Sequence, residues 1–345
     1  MPESPSGKHG VVIGLHAAIV AVIDFQPHVL VVRRAYAPLE SGAAAAHHFE
    51  GDESSGEFGL PFGPFDPALH RTLEIGLRSW VEDQTSLRLG YVEQLYTFGD
   101  RDRYVGAPGA SARVVSVGYL ALTRADMGPP SPDSMWHGWY QHLPWEDRRE
   151  GEPRLIADVI APKLNAWAKD AGTAGQTARR RDRINLCFGG DGIPWDEEKV
   201  LERYELLYEA GLVAEAARDR RLQQGKSPAK AAGIAAMGAP MQFDHRRILA
   251  TAMGRLRGKL KYRPVVFELM PESFTLLELQ RTVEAITGVE LHKQNFRRLV
   301  EREGLVEPTG EHSSRAGGRP AALFEFRREV LKERPAPGVR VRGRG

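Results

Sequence analysis

The stretch Thr275-Leu-Leu-Glu-Leu-Gln-Arg-Thr-Val-Glu-Ala-Ile-Thr-Gly-Val-Glu-Leu-His-Lys-Gln-Asn-Phe-Arg-Arg-Leu-Val-Glu-Arg-Glu303 decides how this chain is to be read. Thr275 and Glu278 form a capping box, in which the hydroxyl accepts from the Glu278 amide and the carboxylate reaches back to the cap. Leu276, Leu279, Val283 and Ile286 then recur at helical spacing, and Gly288 ends the helix. Val289 and Leu291 make a tight apolar connection. A second helix follows from His292 to about Glu303, anchored by Phe296, Leu299 and Val300. Helix, short Gly-containing turn, helix is the helix-turn-helix pattern.

The chemistry of the second helix suits base reading. Lys293, Gln294, Asn295, Arg297 and Arg298 leave its apolar side free. Gln and Asn pair with adenine edges, Arg with guanine or phosphate, and a helix N-terminus favours a phosphate. Beyond Gly304, Leu305-Val306-Glu307 and Ala322–Phe326 are strand-like. The loop between them carries Arg315 and Arg319 among glycines, a basic wing beside a DNA backbone. A helical domain that docks another protein is the competing possibility. The charge distribution favours DNA. From Phe243 to the end there are 21 Lys+Arg against 13 Asp+Glu, whereas the preceding residues hold 26 against 32, so only the C-terminal third is suited to a polyanion.

Composition sets the outer limits. The 345 residues suffice for roughly two or three domains, and 42% hydrophobic with 27% charged residues is globular, not disordered, usage. The single cysteine, Cys187, excludes an intrachain disulfide framework and a Cys-rich zinc site. Met1-Pro-Glu-Ser-Pro has no basic lead into an apolar stretch, and Val11–Ile23 falls short of the ~20 residues a membrane helix needs. A cytoplasmic protein without membrane contact is expected.

Working towards the N-terminus, Phe243–Lys261 places Ile248, Leu249, Ala252, Met253, Leu256 and Leu260 on one helical face. Leu155–Asp170, with a kink at Pro162, and Glu197–Arg218 are helical in pattern. Ala171–Arg183, with its run Arg179-Arg180-Arg181, reads as a solvated basic linker. Val11–Ile23 and His28–Val32 are strands around a turn at Phe25-Gln26-Pro27, and Tyr91–Phe98 and Val114–Thr123 are strands as well. Asp66-Pro67 suits the start of an amphipathic helix over Ala68–Asp83. His47-His48 stand in a loop of small residues with no metal-ligand spacing around them.

Phe243-Asp-His-Arg-Arg-Ile248, Arg255-Leu-Arg-Gly-Lys-Leu260, Phe274–Gln280, Asn295-Phe-Arg-Arg298 and Gly318-Arg-Pro320 resemble the Nudix-related transcriptional regulators of NAD metabolism. Tyr91–Asp100 and Val114–Tyr119 resemble that family's Nudix-like domain. Length and the middle segment are more similar to the NadQ-type than to the shorter NrtR-type members. The resemblance covers about two-thirds of the chain and is weakest over 129–240. It implies an α+β chain: a Nudix-like α/β/α sandwich with a helical insertion, then a C-terminal winged helix-turn-helix domain. The expected boundaries are a flexible leader at 1–10, a Nudix-like sensor at 11–128 and the insertion at 129–240. A linking helix at 241–262 closes the sensor, the winged helix occupies 263–330, and a basic tail fills 331–345.

A working Nudix box reads G-x5-E-x7-R-E-U-x-E-E-x-G-U, with carboxylates that hold a divalent metal against a diphosphate. With Arg78 at its arginine, Ser79 replaces the first core glutamate, Glu82 and Asp83 fall on the later pair, and Thr85 replaces the glycine. The set is incomplete, so no catalytic residue, no bound metal and no cofactor are expected. The resemblance then implies a sensor: a dimeric, ligand-responsive repressor of NAD-biosynthesis genes on a palindromic operator. Its effector would be ADP-ribose, NAD, ATP or nicotinate, met by Arg33, Arg34, Arg78, Glu82 and Asp83. The alternative is a divergent Nudix pyrophosphatase acting on a nucleotide diphosphate.

Overall fold

β1 (Val11–Ile23) is apolar on both sides because it is the centre of a sheet. The computed structural model describes residues 11–33, 58–100, 113–124, 131–224, 226, 237–313, 320–333 and 338–339. β2 (Gln26–Val32) returns antiparallel to β1 through a two-residue turn at Asp24-Phe25, both with positive φ. The turn thus lies earlier than expected, and Gln26 and Pro27 are already in register with Ile23 and Val22. Positive φ at both central residues matches the twist of a tight hairpin.

β3 (Phe62–Pro64) adds to β1 antiparallel, and α1 (Leu73–Thr85) crosses one face of the sheet. That helix starts later than Asp66-Pro67 suggested. Thr72 is its N-cap, and Leu69, counted in the apolar stripe, is 77% exposed. Asp66 instead holds a separate turn, accepting from the Ala68 amide at 2.8 Å. β4 (Tyr91–Phe98), β5 (Arg113–Leu122) and β6 (Ser134–Gly138) complete the order β4-β5-β1-β2-β6. β5 runs parallel to β1 over ten residue pairs. The sheet takes its edge strand β6 from the stretch expected to be insertion, because Trp136 and its neighbours pair with β2.

The insertion is helical: α2 (Trp139–His142), α3 (Ala161–Lys169), α4 (Ala174–Phe188), α5 (Val200–Glu209) and α6 (Ala214–Gln223). A π-turn at Ile156–Ile160 precedes α3, since Pro162 cannot donate to the ladder there. The basic segment 171–183 is not a linker. Thr173 caps α4, and Arg180 stacks on Trp167 at 4.1 Å, so good helix formers complete a helix. Gly211, with φ 71°, separates α5 from α6 where one helix was expected.

α7 (His245–Leu260) packs on the sheet face opposite α1, with Ile248, Leu249, Ala252, Met253 and Leu256 fully buried. Alternation along β1 divides the layers. Leu15, Ala17 and Ile19 meet Leu77 and Val81 of α1, while Ala18 and Val20 join the core around α7. The C-terminal unit is α8 (Leu276–Thr287), α9 (Lys293–Glu303), the hairpin β7 (Val306–His312) and β8 (Ala322–Phe326), and α10 (Val330–Glu333). The Thr275–Glu278 capping box is present, and Gly288 closes α8 at φ 72°. Part of the expected tail is docked, with Val339 buried and its amide donating to Leu260. Among the described residues no helix is long and apolar enough to cross a membrane.

Candidate nucleic-acid interface and effector face

α9 is strongly two-sided. Phe296 and Val300 are buried, whereas Lys293, Gln294, Asn295, Arg297 and Arg298 are exposed. Its first turn has no side-chain cap, since His292 makes none, so its leading N–H groups stay available to an anion. Arg297 lies 2.9 Å from Glu301 in an exposed i,i+4 pair, a contact weak enough for a phosphate to replace. Arg298 has no ion pair among the described residues. β7 and β8 form the wing beside α9, anchored by the Phe274–Phe324 bridge and by Phe267 stacked on Phe326 at 4.3 Å. Arg315 and Arg319 lie outside the described residues.

The effector candidates are divided. Arg78, Glu82 and Asp83 share α1, and Arg33 stands at the end of β2 with its guanidinium 5.6 Å from the Phe58 ring centre. Arg34 lies outside the described residues. Arg78 donates to Glu74 at 2.9 Å, to the Leu89 carbonyl and to the Gly90 carbonyl at 3.1 Å. It therefore ties α1 to the start of β4. Glu82 pairs with Arg88 at 2.9 Å, and Asp83 and Ser79 are exposed. Among the described residues no group of three His, Cys, Asp or Glu is placed to hold a metal. A cavity of about 240 Å³ opens between α3 and α4, but its lining, which includes Ile156, Ile160, Leu164, Asn165 and Phe188, offers no cation for a diphosphate.

Two buried histidines escaped the sequence reading. His16 of β1 and His245 of α7 are both fully buried, with His16 Nδ1 3.0 Å from His245 Nε2. The Leu60 amide donates to His245 Nδ1 at 2.9 Å. His245 must therefore carry its proton on Nε2 and donate it to His16. Burial pushes the His16 imidazole down to about 3 and His245 well below its usual value, so both rings are neutral. Nothing local in the sequence signals this pair, whose members are 229 positions apart.

A family comparison covers the helix-turn-helix and its wing. Residues 266–326 match the NrtR DNA-binding winged helix domain. The ADPR responsive transcriptional repressor NtrR of Acinetobacter baylyi is 43% identical over 91 residues, 26% of this chain. The matched stretch spans 36% of that relative, little more than a third of its length. The crystal structure of Shewanella oneidensis NrtR complexed with a 27mer DNA aligns over 93% of this chain and 95% of its own, with TM-score 0.50 and 20% identity. The crystal structure of Shewanella oneidensis NrtR aligns over 92% and 95%, at the same score and identity. At that identity the likeness is one of fold. In this chain the segment that matches the NrtR DNA-binding winged helix domain follows an α/β/α sandwich.

Proposed function

We propose that this chain is an ADP-ribose-responsive, DNA-binding repressor of NAD-biosynthesis genes, acting in the cytoplasm as a homodimer. The observation that carries the proposal is the exposed Lys293–Arg298 face of α9 within a segment matching an NrtR DNA-binding winged helix. Phe296 and Val300 hold the helix by one side, leaving side chains suited to base edges and phosphates on the other. ADP-ribose is preferred among the candidate effectors because a relative sharing 43% identity over 91 residues is described as ADPR responsive. NAD, ATP and nicotinate are its comparators.

The Nudix-like sandwich binds without hydrolysing. Ser79 stands where a metal-binding glutamate is needed, Glu82 is paired with Arg88, and Arg78 braces the β4 loop. Mg²⁺-dependent turnover of ADP-ribose that is lost in Glu82→Gln would overturn this part. Footprinting on promoters of NAD-biosynthesis genes tests the dimer. Two symmetric half-sites about one DNA turn apart, or a multiple of it, are expected. A single asymmetric half-site would contradict dimeric binding.

A further inference from the structure

We propose that Arg257 is a positioning residue: it clamps the last turn of α8 to the sensor unit, so that a change in the sensor is transmitted through α7 to the DNA-reading helix. The inference rests on the function proposed above. Its structural half stands separately.

The clamp is built around Glu146, buried in the 3-10 turn after α2. Arg203 of α5 grips this carboxylate from one side, Nε to Oε1 at 2.6 Å and Nη2 to Oε2 at 2.9 Å. Arg257 of α7 reaches it from the other, Nη1 to Oε2 at 2.7 Å. Two buried guanidiniums thus share one carboxylate, and the surplus positive charge needs other acceptors. Arg203 turns its surplus inward, donating to the Cys187 and Asp196 carbonyls and lying 3.7 Å from the Trp195 ring centre. Arg257 divides its surplus: Nη1 donates to the Glu197 carbonyl at 3.0 Å and Nη2 to the Glu146 carbonyl at 3.1 Å, while Nε alone crosses the boundary, donating to the Ile286 carbonyl at 3.0 Å.

Ile286 lies in the last turn of α8, where carbonyls lack partners within the helix and the helix dipole is negative. The same turn is held twice more from the sensor side. The Tyr140 hydroxyl donates to the Ala285 carbonyl at 2.7 Å, and the Arg148 amide donates to the Gly288 carbonyl at 2.8 Å. Gly288 sits so close that a Cβ there would come within 2.5 Å of the Glu146 carbonyl, 2.8 Å of Arg257 Nη2 and 2.9 Å of the Tyr140 hydroxyl. The turn that joins α8 to α9 is therefore seated in a cradle made by α2, Glu146 and α7. Apolar packing also joins the units, but it is non-directional. The polar cradle fixes orientation.

At its other end α7 is tied to the sheet. His245 meets His16 of β1, and Arg247 pairs with Asp100 at 2.5 Å just beyond β4. From His245 to Arg257 the helix spans about 18 Å at 1.5 Å per residue. The helix meets the sheet along its length, Lys259 near its C-terminal end also pairing with Glu93 of β4 at 2.5 Å, and only its C-terminal half, through Arg257, reaches α8 as well.

The test compares full-length wild type with Arg257→Gln, Arg257→Lys and Tyr140→Phe. Removing Arg257 leaves Glu146 paired with Arg203, so no buried charge is orphaned. Tyr140→Phe deletes one hydroxyl and keeps the ring, which guards against a variant that fails to fold. Operator affinity is measured with and without ADP-ribose, and hydrogen exchange is followed at residues 284–289. In the wild type ADP-ribose should shift affinity by about fivefold to 150-fold. In Arg257→Gln and Tyr140→Phe the shift should fall to within about twofold, unliganded affinity should stay within about threefold, and exchange at 284–289 should accelerate. Arg257→Lys should recover part of the shift, because an ammonium keeps the charge beside Glu146 but cannot reach both that carboxylate and the Ile286 carbonyl as the guanidinium does. An effector response equal to wild type in both variants would overturn the transmission, and unchanged exchange would overturn the clamp. Loss of unliganded affinity in step with the response would reduce Arg257 to a folding residue. If wild type itself fails to select operator DNA, the proposed function falls, and exchange alone decides whether the clamp stands.

Discussion

His16 Nδ1 lies 3.0 Å from His245 Nε2, both rings out of contact with water. One hydrogen bond so joins the central strand of the sandwich to the helix that leads to the recognition unit. The Leu60 amide fixes the tautomer of His245, and through it that of His16. In His245→Phe the ring volume is nearly kept, but the Leu60 N–H loses its acceptor and His16 Nδ1 loses its donor. A loss of about 1–3 kcal/mol in stability is expected by urea denaturation at pH 7.5. No loss would mean that the pair contributes nothing beyond packing.

Three buried imidazoles set a pH dependence. His16 is held down to about 3, His142 to about 4 and His245 well below the usual 6.5, in each case chiefly by burial. In the unfolded chain each titrates near its ordinary value. Below that value the unfolded state binds more protons than the folded one, so stability is full above about pH 6.5 and falls as the pH drops towards 4. Unfolding in this window should take up as many as about three protons beyond those bound by carboxylates. His245→Phe should flatten the slope. A denaturation midpoint constant from pH 7 to 4.5 would contradict it.

Thr275 accepts from the Glu278 amide at 3.2 Å while Glu278 accepts from the Thr275 amide at 2.8 Å. Thr275→Ala removes half of this reciprocal cap. A cost of about 1 kcal/mol is expected in thermal or chemical unfolding of the full chain.

The exposed face of α9 divides by chemistry. Arg298→Ala, if Arg298 meets a phosphate, should weaken binding evenly across sequences and lower the slope of log affinity against log salt by about one. Asn295→Ala should cost about 1–3 kcal/mol on operator DNA and much less on an unrelated duplex. Equal losses on both duplexes would remove Asn295 from base reading.

What could be read from the sequence was local. The α8–α9 pair was legible because its signals lie within a few residues of one another: Thr275 with Glu278, Gly288 at the turn, and Phe296 with Val300 on one face. The wing strands followed from alternation and a glycine-rich gap. The helix α4 was misread because Arg179-Arg180-Arg181 looks solvated, and only its tertiary partner Trp167 shows one side to be packed. Leu69 misplaced the start of α1 because spacing alone cannot tell which apolar residue faces the core. The His16–His245 and Glu146–Arg257 contacts join residues 229 and 111 positions apart. Of the candidate effector residues, Arg78 shows a role that its charge did not announce, a brace on the loop before β4.

The central claim is that ADP-ribose and DNA are linked through this chain. The most direct measurement is fluorescence anisotropy of the full-length protein on promoter DNA of NAD-biosynthesis genes, beside an unrelated duplex, at fixed moderate salt. ADP-ribose is titrated, with NAD, ATP and nicotinate as comparators. The account predicts tight binding to the promoter DNA, weak binding to the control, and a change in affinity of about fivefold or more with ADP-ribose. Equal affinity for both duplexes, unmoved by every one of these metabolites, would contradict it.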